Sequence, residues 1–176
     1  MAIVIGVCGQ IASGKTTVAK IISQEYNFHF TSFGDYVRSK AQEMQLTISR
    51  QVLQNLGQSL LETDINSFCR HVVFQNQWDS KSNLVIDGVR HVSVIHELEK
   101  ILFPLKFKLL FIDTSSSIRN DRLKENERSN IDSHITEIDV KSKLKNMATY
   151  KIDGGLSLAD IESEIKQFML HLGSVT

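Results

Sequence analysis

The segment VIGVCGQIASGKTTVAK, residues 4–20, sets Gly9, Gly14, Lys15 and Thr16 in the spacing G-x-x-x-x-G-K-T. Glycines let successive backbone N–H groups turn inward on an anion at the start of a helix, where the helix dipole also favours negative charge. Gly9, Ala12, Ser13, Gly14, Lys15, Thr16 and Thr17 are therefore expected to hold the phosphates of a nucleotide. The Lys15 ammonium would reach the outer phosphates, and the Thr16 hydroxyl would ligate Mg²⁺. The competing reading is an ordinary glycine-rich turn with a solvated lysine. The loop follows an apolar strand and opens an amphipathic helix, which is the context that phosphate binding requires. Alone, such a loop suits an ATPase, a GTPase or a kinase equally.

A second apolar run ends in NLVIDGVR, residues 83–90. Open parallel sheets bind ligands at the carboxyl ends of their strands. Asp87 is accordingly expected to hold Mg²⁺ or its waters beside Thr16, against the plainer possibility of an Asp-Gly turn.

Positioning these groups requires strands that end together. Runs of strand length occur at Ile3–Cys8, Leu84–Ile86 and Lys108–Ile112, with weaker ones at Phe28–Thr31 and Thr149–Ile152. Helical spacing separates them, at residues 15–24, 35–45, 49–77 with a break, 91–102, 116–127, 137–147 and 158–171. In the third segment Val52, Leu53, Leu56, Leu60 and Leu61 share a face behind Ser49, a suitable N-cap. The alternation predicts an α/β fold with a five-stranded parallel sheet between helical layers. The helical stretch before residue 84 is too long for one crossover, so part of residues 34–78 should form a lobe beside the sheet. The polar stretch KENERSNIDSHITEID, residues 124–139, reads as an exposed connection.

A chain of 176 residues with 41% hydrophobic composition fits one domain. Its 20 basic and 20 acidic side chains balance, so no global positive field points to nucleic acid or an anionic membrane. Cys8 and Cys69 form neither a disulfide framework nor a metal pair, which suits a reducing cytoplasm. His71, His91 and His96 lack metal-ligand spacing, Trp78 reads as closing the helical lobe, and Ser115–Ser117 as capping a helix. No segment has the length and apolarity of a membrane span. The oligomeric state is left open.

Beyond the loop, TSFGDYVR at residues 31–38, DGVR at 87–90, SIRNDRLKENER at 117–128 and YKIDGGLSLADIESEI at 150–165 occur in the order found in adenylate-kinase-like nucleoside monophosphate kinases. The chain resembles that family across nearly its whole length. The resemblance implies a three-layer P-loop kinase fold with a helical acceptor-binding lobe and a short lid over 124–139. It assigns Arg38 to the acceptor phosphate, with Thr31 and Asp35 in the same site, and Arg90 to the transferring phosphoryl group. It further places Arg122 near the donor nucleotide, Arg128 in the lid, and the backbone of Asp153, Gly154, Gly155 and Leu156 near the donor base. DGVR lacks the proline of the family's Asp-Gly-x-Pro-Arg signature, and Val94 stands near the position where the family commonly carries a base-binding glutamine.

The expected activity is transfer of the γ-phosphoryl of ATP, with Mg²⁺, to the phosphate of a nucleoside monophosphate or similar small acceptor. Two alternatives remain open at this stage. A dephospho-CoA kinase-like enzyme would need a carboxylate base, for which Asp35 is available. A regulatory module would bind ATP, hydrolyse it slowly and signal to a protein partner.

Overall fold

The computed structural model describes residues 2–123 and 143–174. The segment read as a lid, with Lys124, Arg128 and Lys141, lies outside the described residues, as does most of the helix expected at 137–147. Among the described residues the strands are β1 (Ile3–Cys8), β2 (His29–Ser32), β3 (Leu84–Val89), β4 (Lys106–Asp113) and β5 (Tyr150–Asp153). They form one sheet in the order β2-β3-β1-β4-β5, with every pairing parallel. Strands covered on both faces need continuous apolar runs. In β1, Val4 and Cys8 face one core layer while Ile5 and Val7 face the other.

The helices are α1 (Lys15–Tyr26), α2 (Phe33–Glu43), α3 (Arg50–Thr63), α4 (Ile65–Phe74), α5 (Val92–Leu102), α6 (Ser116–Arg122), the single turn α7 (Lys145–Met147) and α8 (Leu158–Ser174). α1 and α8 cover one face of the sheet through Val18, Ile22, Ile165 and Phe168. α4 and α5 cover the other through Cys69, Val72, Ile95 and Leu98. The expected lobe therefore divides. α4 belongs to the sheet's own helical layer and α2 joins it through Phe33 and Val37, whereas α3 has no fully buried residue and packs on α2 and α4.

Capping accounts for the helix boundaries. α2 begins two residues earlier than expected because the Ser32 hydroxyl accepts from the Asp35 N–H at 3.2 Å. Ser49 caps α3 as expected, accepting from Val52 at 3.3 Å. The break in the long helical run falls at Asp64. Its backbone is extended, its N–H donates to Leu60 O, and its carboxylate accepts from Ser67 N–H at 3.0 Å. Ser115 caps α6, and Trp78 is buried with its indole N–H on Ser82 O at 2.9 Å. Among the described residues no helix is long and apolar enough to cross a membrane.

Candidate active site

Beyond β1 the chain turns through Gly9–Gly14 and enters α1 at Lys15. Gly14 has φ 94°, a left-handed conformation that glycine adopts without strain. Ala12 is held at φ 61° despite its Cβ, so the surrounding contacts must fix the loop. Those contacts reach the loop's carbonyls from behind. Gln10 O accepts from Ser13 N–H and from Lys15 Nζ, both at 3.1 Å. Ile11 O accepts from Arg119 at 3.4 Å, Ala12 O from Arg122 at 3.3 Å, and Ser13 O from Thr114 at 2.9 Å and Arg122 at 3.3 Å. With the carbonyls held back, the first N–H groups of α1, which have no acceptor within the helix, face the open side.

That open side is a cleft of about 520 Å³ lined by the loop from Ala12 to Thr17, together with Arg122, Gly154, Leu156, Leu158 and Ile161. The Ser13 amide serves the turn rather than the cleft, and its hydroxyl is buried without a partner among the described residues. Of the stretch Asp153 to Leu156 expected near the donor base, Gly154 and Leu156 reach the cleft wall. Asp153 accepts from the Gly155 N–H at 2.7 Å and shapes the turn behind it. A Cβ on Gly154 would overlap Thr114 and the Ser13 carbonyl, so the close approach of this turn to the phosphate loop demands glycine. Arg122 joins the two loops, donating to Gly154 O at 2.8 Å as well as to Ala12 and Ser13. It lines the first cleft, and in this structure its guanidinium holds backbone.

A second cleft of about 690 Å³ opens on the other side of the loop, between the sheet and α2–α3. Asp35, Arg38, Arg50, Asp87 and Arg90 line it, and it shares Ala12, Lys15 and Thr16 with the first. Arg38 pairs with Asp35 at 2.6 Å, with about half of each side chain exposed. Thr31 is a correction. It is 1% exposed and absent from the cleft lining, because its hydroxyl donates to Val72 O at 2.6 Å and accepts from Gln75, tying β2 to α4.

Asp87 ends up beside the loop because β3 pairs with β1 in a register that sets it against Val7, one residue from the strand's end. The Thr16 hydroxyl donates to Asp87 Oδ2 at 2.7 Å. Oδ1 is buried and has no partner among the described residues. Burial raises the Asp87 pKa above its ordinary value, against the Thr16 hydrogen bond and the positive charges of Lys15 and Arg90. An unpaired carboxylate oxygen beside a hydroxyl, next to a phosphate loop, is the hard oxygen set that Mg²⁺ takes, so these residues fit that ion. Burial pushes the Cys8 and Cys69 thiols up to about 12, so neither is a ready nucleophile.

Two positioning residues escaped the sequence reading. Arg119 is 2% exposed, with Nε on Thr114 O at 3.2 Å. Its i, i+4 relation to the buried Leu123 is the available signal. Thr114 carries no such signal. The apolar wall at Leu158 and Ile161 was also not anticipated.

A parallel sheet in this order, with a phosphate loop after its central strand, defines the P-loop kinase fold. The chain belongs to the AAA_17 family, an AAA domain, which matches residues 8–139. It is 33% identical over 103 residues to the dephospho-CoA kinase of Borreliella burgdorferi, covering 57% of this chain and 47% of that protein. It is 32% identical over 108 residues to the adenylate kinase of Borrelia duttonii, covering 60% and 49%. The match thus spans about half the length of these curated relatives. The shikimate kinase of Aquifex aeolicus superposes with a TM-score of 0.64 at 17% identity, over 97% of this chain and 96% of that one, a likeness of fold.

Proposed function

We propose that this chain transfers the γ-phosphoryl of ATP to the phosphate of a nucleoside monophosphate or a similar small acceptor. The observation that carries the reading is the meeting of two clefts at one loop, with Ala12, Lys15 and Thr16 in the walls of both. A simple hydrolase needs one nucleotide cleft and a water; a second cleft lined with arginines suits a second phosphate-bearing substrate.

In this reading the loop amides and Lys15 hold the β- and γ-phosphates. Arg38 orients the acceptor phosphate in the second cleft. Arg90, which lines the second cleft and is close enough to Asp87 to favour its charged form, neutralises the transferring phosphoryl group. Thr16 and Asp87 would hold Mg²⁺, which would supply neutralisation of phosphate charge. Arg119, Arg122 and Thr114 act through the loop, keeping its carbonyls out of the anion site. An acceptor phosphate is already ionised at neutral pH, so the reaction asks for alignment and charge neutralisation rather than a general base.

A second reading, transfer to a hydroxyl as in a dephospho-CoA kinase, is favoured by one observation: Asp35 lines the acceptor-side cleft near Asp87. Its pairing with Arg38 argues for the phosphate acceptor instead. The test is ADP formation from ATP and Mg²⁺ with nucleoside monophosphates, dephospho-CoA or shikimate. At least one monophosphate should raise the rate about 10-fold or more over ATP alone. If none of these acceptors does so, the chain is a slow ATPase or a regulatory module, and the proposal falls.

A further inference from the structure

The turn that opens the phosphate loop holds a conformation its sequence does not favour. Ser13 N–H donates to Gln10 O at 3.1 Å, closing a four-residue turn in which Ala12 stands third with φ 61°. A positive φ at that place in a turn is ordinarily taken by glycine or asparagine, because a Cβ crowds the backbone there. The other non-glycine residues with positive φ among those described are Asn27, Gln45, Gln77 and Ser80. All four are exposed and outside the walls of both clefts. Ala12 is half-buried and belongs to both walls.

Backbone strain that persists inside a site, where a glycine would relieve it, points to a use for the side chain. An alanine has only a methyl to offer. This one packs against the buried pair Ile11 and Leu123, and Ile11 is itself in the acceptor-side wall. Of the residues shared by the two clefts, Lys15 and Thr16 are polar, so Ala12 is the apolar member of the seam across which the phosphoryl group passes. Its methyl can hold no phosphate charge, but it can displace water.

Transfer and hydrolysis compete at that seam. In transfer an oxygen of the acceptor phosphate bonds to the γ-phosphorus of ATP, the bond from that phosphorus to the β–γ bridging oxygen breaks, and ADP leaves. When water attacks in the acceptor's place, the products are ADP, inorganic phosphate and a proton. Neutralising the phosphate charge assists both reactions alike, whereas excluding water favours transfer.

We infer that the Ala12 methyl, packed against Ile11 and Leu123, keeps water from the γ-phosphate at the seam of the two clefts and so limits how much ATP is lost to hydrolysis. The inference rests on the phosphoryl-transfer reading and deepens it by naming the residue that keeps donor use coupled to the acceptor.

The test gives γ-labelled ATP, Mg²⁺ and a saturating concentration of the nucleoside monophosphate that the wild type labels best to the wild type, Ala12→Gly and Ala12→Ser. It reads the ratio of free phosphate to labelled acceptor. Ala12→Gly should raise that ratio about 5-fold or more, with a calorimetric Kd for ATP within about 3-fold of the wild type because the loop amides are kept. Glycine suits the positive φ, so this variant should fold and melt within about 3 °C of the wild type. Ala12→Ser keeps a Cβ and should hold the ratio within about 2-fold of the wild type. An unchanged ratio in Ala12→Gly, or a rise matched by a loss of ATP affinity, overturns the inference and leaves the phosphoryl-transfer reading standing. An equal rise in Ala12→Ser overturns it as well, since the Cβ is then not what excludes water. If the wild type labels no monophosphate, the phosphoryl-transfer reading falls, and the inference falls with it.

Discussion

The Thr16 hydroxyl donates to one oxygen of Asp87 at 2.7 Å, while the other oxygen of the same carboxylate is buried and unpaired among the described residues. The first contact joins α1 to β3, and the second leaves an incomplete oxygen site at the edge of the phosphate loop. An arrangement that served the fold alone would favour a neutral partner for Thr16, because burying a carboxylate without full pairing is unfavourable.

This sets a pH dependence. Burial raises the folded-state pKa of Asp87, so the folded chain holds that proton more tightly than the unfolded chain. The resulting stability is present in full below the unfolded pKa and is lost as pH rises through the folded value. Asp87→Asn should therefore melt at the wild-type temperature or a few degrees above it at neutral pH without metal, and should flatten the fall in stability above about pH 4. The same variant should lose the additional Mg²⁺-dependent rise in melting temperature that ATP should give the wild type. Thermal melts across pH, with and without Mg²⁺, check both effects.

Arg119 offers a separate test of how the loop is held. Arg119→Ala removes the donors that serve Ile11 O and Thr114 O inside the fold. It should lower stability by about 2–4 kcal/mol, a drop of roughly 5–15 °C in melting temperature for a chain of this size. Arg119→Lys should recover only part of the loss, since one ammonium cannot reproduce the guanidinium fork. A melting temperature within about a degree of the wild type would show that the loop does not depend on this residue.

Arg38 should behave in the opposite way. Its pair with Asp35 is half exposed, and exposed i, i+3 pairs of this kind contribute little, about 0.3–0.5 kcal/mol. Arg38→Ala should thus keep its melting temperature while raising the acceptor KM by about 10-fold or more and leaving ATP affinity unchanged. Equal losses for ATP and acceptor would remove Arg38 from the acceptor site.

The legible parts of this protein were those whose chemistry is local in sequence. The phosphate loop, Asp87 at a strand end and the cap at Ser49 each depend on residues a few positions apart, so spacing alone carries them. Thr114 and Arg119 bond Ser13 and Ile11 across separations of 101 and 108 residues, to carbonyls that every residue type provides, and no side-chain pattern marks such a contact. Thr31 went wrong for a related reason. The resemblance put it in the acceptor site, but α4 folds back over β2 and occupies its hydroxyl through Val72. The division of the lobe likewise depended on which faces of α3 and α4 met the sheet. Both helices are amphipathic, and only packing separates them.

The two-cleft site is tested most directly by following labelled γ-phosphate from ATP into a panel of nucleoside monophosphates, comparing the wild type with Lys15→Ala. The wild type should move label into one or more monophosphates, and Lys15→Ala should lower transfer to every one of them by about 100-fold or more. Label appearing only as free inorganic phosphate, at a rate no acceptor alters, would contradict a two-substrate site.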